Sequence, residues 1–400
     1  MTEPSQGTAH GVLEMQDRGP SSGSMPRPPR GRPTRGGERP QQAGGYGFLR
    51  QADRDFRPTN ADVFVPPTLV GKYRLKSGLF LDGPTQRDPR GRGLQLAAIT
   101  SICGHSPDEY AGLVPWDQLT VIDPVEALWL ETGPEPMTTR VLDLLTPIGK
   151  GQRGLIVSPP RAGKTIMLEQ MATAVRKNYP KVTVVMLLVD ERPEEVTHFR
   201  RSTGALVLAS SNDQDVEQHV RLTRMAFAMA QAEVEFGGDV VLFMDSLTRL
   251  GRAFNKAIPS SGRTMSGGVD IRALGEPKRM FGAARKIEGG GSLTVIATCL
   301  VDTGSRMDEL IFQEFKGTGN MEVVLSQELS ERRLYPAIDI LASGTRKEEL
   351  LVSPDELKKR YAIRRRLAGT KPAEAMESLL AVLAKHPTNK SFLDALTPVA

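Results

Sequence analysis

Six long apolar runs limit what this chain can fold into more than any other feature. They are GLIVS (Gly154–Ser158), VTVVMLLVD (Val182–Asp190), ALVLAS (Ala205–Ser210), VVLFMD (Val240–Asp245), SLTVIATCLV (Ser292–Val301) and MEVVLS (Met321–Ser326). Runs so rich in Val, Ile and Leu suit strands covered on both faces. With helical segments between them, they predict a mainly parallel sheet flanked by helices. No internal repeat is visible.

Directly after GLIVS the chain reads SPPRAGKT (Ser158–Thr165), followed by the helical stretch IMLEQMATAVRK. Strand, Gly-bearing loop and helix in that order make a phosphate cradle, in which backbone N–H groups at a helix N-terminus surround an anion. The loop predicts a P-loop NTPase that binds ATP through Pro159, Pro160, Arg161, Ala162, Gly163, Lys164, Thr165 and Ile166. Lys164 would reach the terminal phosphates and Thr165 would help hold Mg2+. One departure is that Ser158 stands where the general motif has its first glycine.

A second magnesium group should end a neighbouring strand, where carboxylates face the crevice. Asp245 closes VVLFMD and fits; its plainer reading is a cap for the helix starting at Ser246. Glu191, one step beyond VTVVMLLVD, is the candidate to orient the attacking water. A surface salt bridge to Arg192 or Arg200 remains its alternative, and the residues alone leave both readings open.

The first half of the chain differs in kind. Residues 1–44 read as a largely disordered Arg/Gly/Pro-rich arm, with Arg18, Arg27, Arg30, Arg32, Arg35 and Arg39 set against Asp17 and Glu38. Such an arm is either a solvated linker or a salt-sensitive attractor of phosphates. Residues 45–125 carry short apolar runs (YGFLR, DVFVP, GLFLDG, LQLAAITSICG) broken by turn residues, which predict a small β-barrel. A linker over 126–137 leads into the ATPase domain, 138–400, which ends in helices. The net charge of +5 permits a polyanionic partner without demanding one. No apolar run nears the roughly 20 residues that span a bilayer. With no secretory leader and only Cys103 and Cys299, a cytoplasmic location is expected.

The segments LLVDERPEEVT, MDSLTRLGRAFN, SGGVDIRALGEPKRMFGAARKIEGGGSLTVIAT, DELIFQEFKGTGNMEVVLS and SGTRKEELL, together with the P-loop, resemble the bacterial Rho family of transcription terminators. The resemblance implies a RecA-like core behind an OB-like barrel. It also implies a homohexameric ring that hydrolyses ATP with Mg2+ and acts as a 5′ to 3′ RNA–DNA helicase. Single-stranded RNA, the RNA polymerase elongation complex and Nus-type elongation factors are the implied partners, with no membrane. Residue by residue, it implies Lys164 and Thr165 on phosphate and magnesium, Glu191 as catalytic carboxylate, Asp245 as the metal-binding acid, and Arg192 near the nucleotide. Arg346 corresponds to a finger reaching the neighbouring subunit's γ-phosphate, with Arg333 in a comparable position at the same interface. Tyr335 corresponds to an aromatic on the adenine ring. Two loops correspond to channel-lining elements: Pro259–Asp270, with Arg263, Thr264, Ser266, Gly267 and Gly268, and FKGTGN, with Lys316. Tyr46, Phe48, Arg50, Asp62 and Phe64 correspond to the barrel's base-contacting face. Each has a bland alternative in core packing, surface charge or a flexible loop.

Two other classes compete with that reading: a proton-coupled rotary ATPase subunit, and a non-catalytic RNA-binding ring. The family usually runs GVLE almost directly into its next strand, whereas here Gly11–Glu14 are far from Tyr46, so either the first strand closes over an insertion or the barrel is irregular. Where the family offers a glutamate and a tyrosine around a cytosine, this chain has Arg92, Gly93 and Leu94. Weaker pyrimidine preference at the primary site is expected, and homopolymer competition that stays equally C-selective would contradict it.

Overall fold

The computed structural model describes residues 7–16, 45–88, 93–259, 261–265 and 267–396, so the Arg/Gly/Pro stretch from 17 to 44, Arg92 and Ser266 lie outside the described residues. The chain divides into two compact units, Met1–Leu113 and Val114–Ala400.

In the first unit, strands β1 (Thr8–Gln16), β2 (Tyr46–Arg50), β3 (Val63–Val65), β4 (Phe80–Arg87) and β5 (Leu94–Leu96) lie in the order β1-β2-β3-β5-β4. β4 pairs back onto β1 and closes the ring, while β6 (Ser101–Ile102) joins β4 beside β5. Closure removes the unpaired edges that an open sheet would expose.

Part of the expected disordered arm is therefore a barrel strand. β1 pairs with β2 from Val12↔Arg50 to Gln16↔Tyr46 and with β4 from Thr8↔Pro84 to Val12↔Phe80. Val12 and Leu13 are buried by these pairings. Of the two readings of GVLE, the strand closing over the intervening residues is the one observed. Gly47 makes the closure possible: a Cβ there would lie 2.5 Å from Leu13 Cδ1 and 2.8 Å from the Glu14 carbonyl oxygen.

The second unit begins earlier than residue 125 suggested. β7 (Val121–Ile122) pairs with β14 (Arg285–Ile287), and β8 (Ala127–Leu128) pairs with β9 (Ile148–Gly149), so the end of the expected barrel and two residues of the expected linker are paired within this unit. The physical ties are specific. The Trp116 N–H donates to Glu235 Oε1 at 2.7 Å, and the Arg285 guanidinium lies 4.4 Å over the Trp116 ring.

All six apolar runs are parallel strands of one sheet: β10 (Arg153–Ser158), β11 (Thr183–Glu191), β12 (Leu206–Ser211), β13 (Asp239–Asp245), β15 (Ser292–Leu300) and β16 (Met321–Val324). Their order is β12-β11-β13-β15-β10-β16, and β17 (Gly344–Thr345) adds an antiparallel edge. The interiors of β11, β13 and β15 are buried because helices cover both faces, which is why those runs do not alternate.

The C-terminal helices Pro354–Leu367, Pro372–Leu383 and Asn389–Ala395 are held through buried polar groups on the helix Met137–Leu145. Arg140, fully buried, donates to Asn389 Oδ1 at 3.3 Å and to the Leu383 carbonyl at 3.2 Å, and Asn389 donates back to the Arg140 carbonyl at 2.9 Å.

Gly47→Ala should strain the β1–β2 approach and destabilise the barrel by about 1–3 kcal/mol, the usual cost of overpacking. Urea unfolding checks this; a midpoint equal to wild type would mean that the two strands have room to spare.

Candidate active site and nucleic-acid interface

The phosphate cradle forms where β10 ends. Arg161 and Gly163 have left-handed backbones, φ 64° and 89°, which turn the chain sharply into the helix Lys164–Asn178. Gly163, as N-cap, offers no side chain to the first-turn N–H groups. They are left for an anion, which the helix dipole also favours. Ser158 is buried and its hydroxyl donates to the Pro159 carbonyl at 2.9 Å, so the serine closes the turn locally. Pro159 and Ala162 are buried, whereas Pro160 and Arg161 of the loop and Ile166 of the helix's first turn are exposed.

Three strands converge on the Lys164 ammonium. Its Nζ lies 2.5 Å from Asp245 Oδ1, at the end of β13, and 3.5 Å from Glu191 Oε1, at the end of β11. From β15, Thr298 donates to Asp245 Oδ1 at 2.7 Å. Burial opposes the lysine charge, yet Asp245 and then Glu191 hold its pKa above the ordinary value. Burial first, and next the Asp245 charge, push the Glu191 carboxyl up to about 7 against the pull of Lys164 and Arg249. The alternative of a surface salt bridge for Glu191 is excluded by its 1% exposure. Arg192, its neighbour, is exposed at the N-cap of the next helix.

Three partners escaped the sequence reading. The Arg249 guanidinium donates to the Asp190 carbonyl at 2.5 Å, and its Nε lies 3.2 Å from Glu191 Oε1. Thr165 donates to Glu195 Oε2 at 3.3 Å, and Thr298 is the third. For Arg249 a signal existed: a cation in the first turn of a helix, here Leu247–Ala257, opposes the dipole and asks for a local reason.

Tyr335 sits over the cradle, with Cε1 only 3.3 Å from where a Gly163 Cβ would be, and is 43% exposed. Arg333 and Arg346, both exposed, are not in comparable positions. Leu325 donates to the Val157 carbonyl near the P-loop end of β10, and the Arg333–Tyr335 segment follows there. Thr345, by contrast, pairs with Met321, which pairs with Gly154 at the opposite end. Three residues of strand, roughly 10 Å, separate those levels. Arg346 therefore lies away from its own P-loop.

On the barrel, Tyr46, Phe48 and Phe64 form a three-ring patch with centroids 5.7–5.9 Å apart, all half-buried. Arg50 lies 4.9 Å over the Phe48 ring. Its guanidinium is buried between carboxylates, donating to Glu14 Oε2 at 2.7 Å and to Asp62. Arg50 and Asp62 thus engage each other and brace the rings. Leu94, from the altered cytosine pocket, is exposed on β5.

The two loops of the core flank one helix, Arg306–Phe315. Gly267 packs on its start, where a Cβ would meet the Arg306 carbonyl oxygen at 2.8 Å, and Lys316 is its C-cap. Arg263, Thr264 and Gly268 are exposed on a short turn stapled by Asp270, which accepts from the Ser261 N–H at 2.6 Å and the Arg272 N–H at 3.0 Å. Those backbone bonds hold the Asp270 carboxyl down at about 2.

With this geometry in place, the matches to known proteins are specific. A model of the Rho termination factor RNA-binding domain matches residues 41–108, and one of the ATP synthase alpha/beta family nucleotide-binding domain matches 138–345. Transcription termination factor Rho of Haemophilus influenzae is 46% identical over 356 residues, covering 88% of this chain and 85% of that one. That of Aquifex aeolicus is 48% identical over 358 residues, covering 88% and 82%.

The chain belongs to the transcription termination factor Rho family.

As in that family, a nucleotide-binding core that hydrolyses ATP is joined to an RNA-binding barrel. An ATPase from the type III secretion system of pathogenic bacteria shares the fold at TM-score 0.56 and 21% identity, over 70% of this chain and 86% of that one. An ATP synthase subunit from Nanoarcheaum equitans does so at TM-score 0.56 and 18% identity, over 69% and 75%. No described helix is long and apolar enough to cross a membrane.

A Glu191 carboxyl raised to about 7 is protonated in the folded protein at pH values where a free glutamate, at 4.5, is ionised. Folding stability therefore declines as pH rises from 4.5 towards 7 and is flat above. If Glu191 must be ionised to act, kcat/KM for ATP should fall on the acid side with an apparent pKa near 7. A profile flat down to pH 5 would exclude that role.

Proposed function

We propose that this chain is an RNA-dependent ATPase that terminates transcription by drawing nascent RNA through a homohexameric ring and releasing it from RNA polymerase, acting as a 5′ to 3′ RNA–DNA helicase. One observation carries this reading: a chain whose core gathers Lys164, Asp245 and Glu191 at a phosphate cradle also bears the ring patch of Tyr46, Phe48 and Phe64 on its barrel. Aromatic faces hold unpaired bases by stacking, and a rotary ATPase subunit has no use for them. The elongation complex and Nus-type factors are the partners this activity calls for.

In this reading Lys164 and the first-turn N–H groups bind the terminal phosphates, Tyr335 holds the adenine, and Pro159–Ile166 with Arg192 and Arg333 complete the nucleotide pocket. Glu191 accepts the proton of the attacking water, and Arg249 keeps its carboxylate oriented. Asp245 Oδ2 is buried without a hydrogen bond, which fits a carboxylate kept for a cation, so Asp245 and Thr165 would hold Mg2+ with the nucleotide. When bound, the metal supplies charge stabilisation to the phosphates. Arg346 supplies its guanidinium to the next subunit's γ-phosphate, a reading that its distance from its own P-loop supports. Arg263, Thr264, Gly267 and Gly268 at one end of the helix Arg306–Phe315 and Lys316 at the other grip RNA, with Ser266 of the same loop sequence joining them.

ATP turnover measured with and without single-stranded RNA tests the coupling; equal rates would sink the assignment. A second expectation concerns the finger. Lys164→Ala and Arg346→Ala should each abolish turnover, and mixing the two proteins before assembly should restore a fraction of it. Failure to recover any activity would mean that Arg346 does not serve a neighbouring site.

A further inference from the structure

The ring patch on the barrel is not the end of its exposed aromatic surface. In a sheet, directly paired residues share a face, so Tyr46, Phe48 and Arg50 of β2 share theirs with Gln16, Glu14 and Val12 of β1. Following β1 towards its start, the same face presents His10. β4 continues it with Phe80 opposite Val12 and Asp82 opposite His10. The His10 and Phe80 rings stack at 6.4 Å between centroids and 24° between planes, and Phe80 is 39% exposed. A single exposed phenylalanine is ordinary on a protein surface; what sets Phe80 apart is the second ring stacked on it.

The two aromatic patches are joined. A concavity lined by Thr8, His10, Gln51, Arg54, Thr59 and Asp62 lies between β1 and the start of β3. Asp62 ties it to the braced ring patch, since Asp62 pairs with Arg50 and accepts from Thr59 Oγ1 at 2.9 Å. Gln51 donates to the His10 carbonyl at 2.7 Å and fixes the far end. Arg54 is an exposed cation on this path, suited to a phosphate. Asp82, held by Ser101 at 2.5 Å, repels phosphate at the His10 end, so that end favours the bases of a strand over its backbone. Along β1 the four steps from Glu14 to His10 cover roughly 13 Å, a length a few nucleotides span. His10 lies outside the segment, 41–108, that matches the RNA-binding family model.

We propose that His10 and Phe80 form a second base-stacking platform for single-stranded RNA, continuing the Tyr46–Phe48–Phe64 face across the Arg54 groove. The proposal rests on the RNA-binding reading of the barrel and adds a subsite to it. A strand long enough to reach both platforms gains stacking at the second, while a short one occupies the first alone.

The test uses the full-length protein without nucleotide and oligocytidylates of four and ten residues, read by fluorescence anisotropy. Phe80→Ala should weaken the ten-residue strand about tenfold, in the range a stacked base contributes, and leave the four-residue strand within about twofold. The dependence on salt should stay the same because no charge is removed. Phe80→Trp should keep wild-type affinity, and its added fluorescence should fall with the long strand but not with the short one. Equal loss for both lengths would mean that Phe80 only supports the barrel, and no loss for either would mean that no base stacks there; both overturn the proposal. Phe48→Ala separates the two readings. If it too leaves both strands bound as before, the RNA-binding reading of the barrel fails, whereas loss at Phe48 with none at Phe80 removes only the second platform.

Discussion

The Lys164 ammonium is the charge on which the core depends. Asp245 and Glu191 are delivered to one dry crevice by two different strands, and two buried carboxylates that close repel each other strongly unless a cation stands between them. Lysine serves because its long stem reaches from the helix start to both. The raised pKa of Glu191 marks how incompletely Lys164, even with Arg249 beside it, offsets burial and the neighbouring Asp245 charge. In the proposed mechanism a terminal phosphate competes with the carboxylates for the same ammonium, which links nucleotide occupancy to the state of Glu191.

A parallel logic operates in the barrel, with arginine in place of lysine. Arg50 is buried between Glu14 and Asp62 and lies over the Phe48 ring, so one planar cation satisfies two carboxylates and fixes an aromatic. Glu14 comes from β1, Arg50 from β2 and Asp62 from just before β3, and the ion pairs therefore stitch three strands at the face that carries the rings. Arg50, expected on the RNA-contacting face, thus also braces its neighbours there.

Much of this was legible in the residues. The six parallel strands were readable because burial on both faces leaves a continuous apolar run, and the cradle because GKT follows one such run and opens a helix. β1 was hidden: Thr8–Gln16 mixes polar and apolar residues, and its partner β2 starts some thirty residues later, beyond a stretch of low complexity. Pairing over such a distance leaves no local period to detect. The segment after Leu113 was misplaced for a related reason, since its short strands are defined by partners at Ile148–Gly149 and Arg285–Ile287.

The sequence by itself determined the six core strands, the cradle and the family, because these rest on local strings and on burial that is written into residue type. Only the tertiary structure decided which charges meet. Arg249 reaches Glu191 and Thr298 reaches Asp245 across strands that are distant in the chain. Arg333 and Arg346, thirteen positions apart, end at opposite ends of the strands because the chain between them runs back along β16. Register and strand order set those distances, and neither can be read from spacing along the chain.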